Sequence, residues 1–492
     1  MTLPTPSTSR NLSKEAVRGT FWTYLSFAAG KLLNFATTLI LARLLVPEEF
    51  GVVAYCTIAI QYVDILNAAG IDSALISRRD KVEEAANSAF IANIILGVVS
   101  FGTVWVAAPG IAAFFKEPQV TGLLRLLALA LPISGLGLVP GAMILRDLKF
   151  RTKLVPDVAR SFSKGTISIA LALSGYGAWS LIWGQLAGEL TAAVLFWVLA
   201  GWRPTWKFDR EATRDVATFG GHIILVEIAG QLRNNVDYII VGRILGKGML
   251  GIYALAYRIP ELAIRSFDRV VGGVSFPLLA QVQSERETLK ATYLGYIRYT
   301  SLFTFSIGAG IAIIASSFVH TFLSSEWQET AVPMALIAIA LAIMSVGHIP
   351  GIFYKAIGRP DILNRLSMIK IPVIVAILWV ATRWGIVGVA AGQIIFAVFA
   401  MIFDSIVVCH IIHFDLSETV KALVPATVCA GSMALVTTLA KVLFQLDGLS
   451  GFIVILLVGG LSFTVALRLV DRKLTDKVML TLKRKLVPVK TV

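Results

Sequence analysis

The chain has 492 residues, of which 57% are hydrophobic and only 15% are charged, and its formal net charge at pH 7 is +14. Soluble globular domains carry about 25% charged residues, and a water-soluble core cannot hide this much apolar surface. The composition therefore excludes an ordinary soluble protein and favours a bilayer as the solvent.

The first twenty residues are polar and contain Arg10, Lys14 and Arg18. The apolar run that follows is long enough to span a membrane, so no cleaved signal peptide is predicted. Counting this run, roughly fourteen segments have the ~20 apolar residues that a helix needs to cross hydrocarbon. Numbered in chain order, these spans cover 20–44, 51–76, 88–115, 121–145, 155–174, 178–200, 217–242, 249–278, 294–322, 331–354, 366–382, 385–409, 420–444 and 450–470.

The basic residues concentrate in alternate loops between the spans. Under the positive-inside rule these loops, and with them both termini, are predicted to lie in the cytoplasm. The clusters are too short to form a nucleic-acid-binding domain, so no nucleic-acid partner is expected. The loops in question contain Arg78, Arg79 and Lys81; Arg146, Lys149, Arg151 and Lys153; Arg203, Lys207, Arg210 and Arg214; and Lys355, Arg359 and Arg365.

An internal repeat relates the two halves of the chain with a shift near 200 residues. The segment TTLILARLLVPEEFGVVAY (37–55) aligns with VDYIIVGRILGKGMLGIYA (236–254), so that Gly51 matches Gly251. Shared membrane composition is the alternative explanation of the match. Six spans per copy would make the halves parallel repeats, whose substrate sites lie at the repeat interface. Further matches pair LALALPISGLGLVPG, ending at Gly141, with IAIALAIMSVGHIPG, ending at Gly351, and Gly184-Gln185 with Gly392-Gln393.

The predicted fold is an all-α polytopic membrane protein of about 14 transmembrane helices. Two parallel six-helix repeats form two lobes around a central cavity, and two further helices follow. The predicted divisions are a cytoplasmic N-terminus (1–19), an N-lobe (20–200), an inter-lobe linker (201–216), a C-lobe (217–410), two extra helices (411–470) and a basic cytoplasmic tail (471–492).

Two symmetry-related spans carry polar stripes at similar depth. We expect the stripes to face each other across the central cavity, because polar groups avoid lipid. The alternative is that each residue makes an ordinary interhelical hydrogen bond. The stripe of span 1 consists of Lys31, Asn34 and Thr38, which the repeat matches with Gln231, Asn234 and Tyr238 in span 7. That span also carries Glu227 on the face of Gln231.

Span 8 holds charges at i, i+3 and i+7, namely Arg258, Glu261 and Arg265. At about 3 kcal/mol each near the bilayer centre, a lipid-facing position is improbable. The side chains then form either an internal network that staples helices or a cationic lining suited to an anionic substrate.

Asp64 in span 2 is a deep carboxylate without an evident neighbour in sequence. Buried carboxyl groups in general take up protons more readily than exposed ones, so Asp64 or Glu227 could carry a coupling ion. The alternative is that Asp64 pairs with Lys31 or with an arginine.

Motifs for catalysis and for metal binding are missing from the sequence. There is no GxxxxGK, HExxH or GxSxG segment, and the five histidines lack ligand spacing. The three cysteines, Cys56, Cys409 and Cys429, lie in apolar runs and are expected to pack as small apolar residues. We therefore expect no enzyme activity, no cofactor and no metal site.

Several segments resemble the polysaccharide-exporter branch of the multidrug/oligosaccharidyl-lipid/polysaccharide exporter superfamily, close to its colanic-acid and succinoglycan exporters. The most specific is ARLLVPEEFG after span 1. The others are LRDLKFRTK (145–153), GWRPTWKFD (201–209), VGRILGKGMLGIYALAYR (241–258) and IGRPDILNR (357–365). The resemblance implies two six-helix lobes around a partly cationic cavity in a bacterial inner membrane, with an undecaprenyl-diphosphate-linked oligosaccharide as substrate.

The predicted function is thus a flippase for exopolysaccharide, capsule or O-antigen-like polysaccharide biosynthesis, working by alternating access. Expected partners are the lipid-linked oligosaccharide, the bilayer, a polysaccharide polymerase, a chain-length regulator, and H⁺ or Na⁺ as coupling ion. A cation-coupled multidrug exporter of the same superfamily is the first alternative. A membrane glycosyltransferase or polymerase is the second, but the clustered carboxylates of metal-dependent sugar transfer are missing.

Overall fold

The computed structural model describes residues 6–68, 75, 82–205, 210–445 and 448–472, and within these ranges every regular element is a helix. The chain divides into two compact units, Met1–Gly251 and Ile252–Val492. The predicted all-α fold is confirmed. The lobe boundaries at 200 and 217 stay predictions, as does the basic tail beyond residue 472, which lies outside the described residues.

Among its described residues, the first unit has seven complete helices and the first part of an eighth. They are α1 (Pro6–Leu44), α2 (Pro47–Ala68), α3 (Val82–Phe115), α4 (Gln119–Leu127), α5 (Ala130–Arg146), α6 (Phe150–Leu173), α7 (Ala178–Ala200) and α8 (Arg210–Gln281).

The long helix α8 is two helices joined at a kink. Gly246 has φ 85° and ψ 179°, a conformation that ends one helix and starts the next. We call the parts α8a (210–245) and α8b (247–281). The kink falls between the predicted spans 217–242 and 249–278, so two helices were correctly predicted here.

In the described part of the second unit, the remainder of α8b is followed by six further α-helices. They are α9 (Arg286–Phe322), α10 (Ala331–Ala356), α11 (Pro360–Ala381), α12 (Gly385–Ile412), α13 (Leu416–Leu443) and α14 (Gly448–Val470), with short 3₁₀ turns at Ser325–Thr330 and Thr382–Trp384. The two last helices pack on α9 and on each other, as expected of an addition to a six-helix repeat.

Ten segments of the described residues are long and apolar enough to cross a membrane. Fourteen spans were predicted, and the difference has local causes. The segment Asn235–Asp268 runs across the kink at Gly246, and Pro360–Ile412 holds both α11 and α12. Neither α2 nor α6 is among the ten; α6 carries Arg151, Lys153, Asp157, Arg160 and Lys164.

The repeat predicted from the sequence has a structural counterpart where α2 meets α8b. A Cβ on Gly51 would overlap the carbonyl oxygen of Lys247, and a Cβ on Gly251 would overlap that of Pro47. Matched positions of the two copies therefore make matched contacts. Lys247, at the start of α8b, also forms an ion pair of 2.8 Å through its Nζ with Oε2 of Glu117, which lies between α3 and α4.

Candidate functional site

Helix α6 has one charged face and one apolar face. The apolar side chains Val155, Phe162 and Leu173 are 46%, 63% and 69% exposed. At 3.6 residues per turn, the charged face lies about 180° away around the helix. Since lipid contacts the apolar face, the charged side must face the protein interior. The charged face consists of Lys153, Asp157, Arg160 and Lys164.

The inner part of this face contacts α7. Arg160 Nε lies 3.4 Å from Glu189 Oε2. Lys164 Nζ donates to Gln185 Oε1 at 2.5 Å, and Gln185 Nε2 donates to Glu189 Oε1 at 3.0 Å. We call Arg160, Lys164, Gln185 and Glu189 the α6–α7 polar cluster.

Helix α1 packs against the same face of α6. Asn34 Nδ2 donates to Ser161 Oγ at 3.1 Å and to its own helix at Gly30. Thr38 Oγ1 donates to the carbonyl of Asn34 at 2.7 Å. Lys31 is exposed, with Nζ 5.6 Å from the centroid of the Phe27 ring. Asn34 thus makes the interhelical hydrogen bond that was the alternative to a cavity position.

Asp64 of α2 interacts electrostatically with Glu189 of α7. The carboxylate that looks isolated in the sequence therefore belongs to the surroundings of the α6–α7 polar cluster. Its role in ion coupling stays a prediction.

The predicted stripe of span 7 lies in α8a, where it contacts α2. Gln231 Nε2 and Asn235 Nδ2 donate to Gln61 Oε1 at 2.7 and 2.9 Å. The side chains of Glu227 and Asn234 lie outside the described residues. The expectation that the stripes of spans 1 and 7 face each other stays a prediction.

The predicted charges of span 8 form a continuous stripe on α8b. Arg258 is exposed, and Arg265 Nε lies 3.6 Å from Glu261 Oε1. Ile244 and Phe276 are exposed apolar residues, but none of the described large apolar side chains between them is exposed. This part of the helix therefore presents charge, rather than an apolar surface, at its open face.

The stripe continues to α10 through Asp268. Ser345 Oγ donates to the Asp268 carboxylate, and His348 Nδ1 lies 3.5 Å from it. Sequence analysis did not single out this contact, because the two helices are far apart in the chain.

A buried ion pair joins α11 to α12. Lys370 Nζ lies 2.8 and 2.7 Å from the two carboxylate oxygens of Asp404, and the side chains are 10% and 4% exposed. The hydroxyl of Tyr354 donates to the Asp404 carbonyl. Sequence analysis missed this pair, although both residues lie inside predicted spans.

The α6–α7 polar cluster was missed too, and a signal for it existed. Span 155–174 contains Asp157, Arg160 and Lys164 at helical spacing. The energetic cost of placing a charged side chain near the bilayer centre, which was considered for span 8, applies equally to these residues. Missing them left the cationic groups of α6 out of the predicted site.

The chemistry available at both places is ionic. Arg160 and Arg258 present guanidinium groups that can bind phosphate oxygens in a bidentate manner. Among the residues that the structure describes, no group of three or more His, Cys, Asp or Glu side chains could hold a metal ion.

The described residues therefore define an all-helical, multi-pass membrane protein. It belongs to the polysaccharide biosynthesis protein family, which it matches over residues 40–332. The resemblance seen in the sequence is confirmed.

Curated relatives carry names from polysaccharide biosynthesis and transport. The chain is 25% identical over 358 residues to the succinoglycan biosynthesis transport protein ExoT of Rhizobium meliloti, covering 73% of this chain and 72% of the relative. It is 22% identical over 385 residues to the lipopolysaccharide biosynthesis protein WzxC of Escherichia coli, covering 78% of each.

Solved structures share the fold. The lipid II flippase MurJ in an inward closed conformation matches with a TM-score of 0.71 and 14% identity, over 93% of this chain and 99% of that one. An inward-facing multidrug MATE transporter matches with a TM-score of 0.62 and 16% identity, over 79% of this chain and 98% of that one. The fold is the two-lobe fold of the multidrug/oligosaccharidyl-lipid/polysaccharide exporter superfamily.

Proposed function

We propose that the protein is a flippase that moves an undecaprenyl-diphosphate-linked oligosaccharide across the bacterial inner membrane for polysaccharide biosynthesis. The observation that carries the proposal is the exposed Arg258 on a membrane helix whose open face lacks large apolar side chains. A guanidinium at this depth is costly unless it meets water or an anion. The names of the relatives support a polysaccharide precursor as that anion.

The cationic side chains take the diphosphate. Arg258, Arg265 and Lys31 bind its oxygens, while the prenyl chain stays in lipid. The polar stripes bind sugar hydroxyls through Asn34, Thr38, Gln231 and Asn234, and Glu261 holds Arg265 in place. Binding of the headgroup is thus electrostatic, and the hydroxyl contacts are weaker and less specific.

Transport proceeds by alternating access of the two lobes, with both termini in the cytoplasm. Asp64 or Glu227 carries the coupling ion, H⁺ or Na⁺. The flipped unit passes to a polysaccharide polymerase under the control of a chain-length regulator. These assignments add a specific substrate and mechanism to the role in polysaccharide biosynthesis that the family name gives.

To test the proposal, the purified chain is reconstituted into liposomes that contain a fluorescent undecaprenyl-diphosphate oligosaccharide. A membrane-impermeant reagent that destroys the fluorophore then reports how much label reaches the outer leaflet. A flippase makes all of the label accessible, whereas empty liposomes protect the inner-leaflet fraction. Protection that matches empty liposomes would refute the proposal.

A multidrug exporter is the competing function, because the chain shares its fold with MATE transporters. A cavity for cationic drugs needs acidic or aromatic lining. The exposed Arg258 argues for an anion instead. Unchanged drug sensitivity of a deletion strain, together with lost polysaccharide export, is the expected pattern.

A further inference from the structure

The α6–α7 polar cluster contains a cation that is loosely held. An arginine–carboxylate pair of good geometry has two hydrogen bonds of about 2.7–2.9 Å. Arg160 makes one contact of 3.4 Å with Glu189, and its buried Nε has no hydrogen-bond partner. Glu189 does not depend on this contact, since its Oε1 accepts a hydrogen bond from Gln185.

The Arg160 side chain is also partly accessible, although its Nε is buried. The side chain of Arg160 is 39% exposed, whereas that of Glu189 is only 12% exposed. Arg160 is ten residues into α6, about 15 Å along the helix axis, and faces away from the apolar surface of that helix. Its exposed part therefore opens toward the protein interior rather than toward lipid.

A second cation lies one helical turn further along. Lys164 is held by the side chain of Gln185, which also donates to Glu189. Arg160 and Lys164 are thus fixed four residues apart on one helix face, a separation of about 6 Å. Two cations at this distance can contact the oxygens of one diphosphate.

We propose that Arg160 exchanges Glu189 for a phosphate oxygen of the lipid-linked substrate, with Lys164 as the second cation of the same anion subsite. This inference rests on the proposed function and adds a site in the first unit to the residues of α8b. Glu189 acts as an internal anion that competes with the substrate and keeps Arg160 compensated when the subsite is empty.

The experiment measures equilibrium binding of radiolabelled undecaprenyl diphosphate to the purified full-length chain in nanodiscs. Arg160→Gln removes one cation and is expected to weaken binding by about tenfold, the loss typical of one charge-assisted hydrogen bond. Glu189→Gln removes the competing anion but keeps the amide acceptor for Gln185, so binding is expected to become several-fold tighter. A misfolded variant cannot mimic tighter binding.

Arg298→Gln is the matched control. The Arg298–Asp471 ion pair lies in the second unit, and its side chains are 42% and 14% exposed, close to the 39% and 12% of Arg160 and Glu189. Binding by this variant should equal that of the wild type. Displacement of the lipid by inorganic pyrophosphate should weaken in Arg160→Gln, because the phosphates are the groups that Arg160 contacts.

The outcomes separate the two proposals. If the wild type does not bind undecaprenyl diphosphate, both the proposed function and this subsite are refuted. If the wild type binds but Glu189→Gln fails to tighten binding, or Arg298→Gln weakens it as much as Arg160→Gln, the subsite alone is refuted. Unchanged displacement by pyrophosphate in Arg160→Gln likewise contradicts a phosphate contact.

Discussion

Gly51 and Gly251 occupy matched positions of the internal repeat and pack reciprocally at the crossing of α2 and α8b. Each places its Cα against the first helical carbonyl of the other helix, that of Lys247 or of Pro47. Only a residue without a Cβ allows the backbones to approach so closely. The repeat is therefore visible as a symmetric contact as well as a sequence match.

Gly51→Ala and Gly251→Ala should each destabilise the protein, because the new methyl group meets backbone that cannot move aside as a side chain could. Overpacking of this kind costs about 1–3 kcal/mol. The measurement is the apparent melting temperature of the purified protein in detergent, and the symmetry predicts similar losses for both variants.

Gly102→Ala is the control, since a Cβ at Gly102 in α3 meets nothing within 4 Å. Alanine has the higher helix propensity, so this variant should melt at or above the wild-type temperature. Equal melting temperatures of all three variants would show that the backbones at Gly51 and Gly251 have room for a methyl group.

The buried pair of Lys370 and Asp404 predicts a strong asymmetry between single and double substitutions. Lys370→Met leaves the Asp404 carboxylate uncompensated in an apolar environment, at a cost of about 3–5 kcal/mol. Lys370→Met combined with Asp404→Leu removes both charges and should recover most of that loss. Thermal unfolding of the four members of the double-mutant cycle measures the coupling.

A surface ion pair with the same distance between its nitrogen and oxygen atoms provides the comparison. Lys149 and Asp147 also lie 2.7 Å apart, but their side chains are 53% and 46% exposed. Lys149→Met should change stability by less than about 1 kcal/mol, because water compensates the remaining carboxylate. A comparable loss in both pairs would mean that burial does not govern the Lys370 pair.

Hydropathy predicted the helices well, since each crossing needs about 20 apolar residues whatever their tertiary neighbours. It also ended one span at residue 242 and began the next at 249, and the structure has a kink between them at Gly246 of α8. Span 155–174 was treated by length alone, so the charged face of α6 went unnoticed. A search for charges at helical spacing would have found Arg160 and Lys164.

The pairing of distant residues could not be predicted in the same way. Lys370 and Asp404 are 34 positions apart, and Asp64 and Glu189 are on helices separated by four others. Their contacts depend on how helices pack, and hydrophobic patterning carries no information about which polar residue meets which. The predicted cavity positions of Lys31 and Thr38 stay predictions, because they too depend on how the helices pack.

Arg258→Ala should abolish polysaccharide export while the protein reaches the membrane at normal levels. The reason is loss of a guanidinium proposed to bind the diphosphate, without loss of a buried partner, since Arg258 is exposed. Lys31→Ala should act similarly. The measurement compares secreted polysaccharide with the amount of tagged protein in membranes.

Arg125→Ala is the control for general loss of membrane charge. Arg125 lies in α4 with its guanidinium carbon 3.9 Å from the centroid of the Trp105 ring, so it has a structural partner. Export should persist in this variant. Normal export in Arg258→Ala would remove Arg258 from the proposed site.

Asp64→Asn tests ion coupling in the first unit. If Asp64 carries the coupling proton, flipping in proteoliposomes should no longer respond to an imposed pH gradient, because an amide cannot exchange a proton in this range. The interaction of Asp64 with Glu189 makes a second outcome informative. A response that persists in Asp64→Asn but disappears in Glu189→Gln would transfer the coupling role to Glu189, since the two carboxylates share one electrostatic environment. A response that persists when Asp64→Asn and Glu189→Gln are combined in one chain would reject proton coupling at this pair, because no carboxylate that could take up the proton would then remain in it.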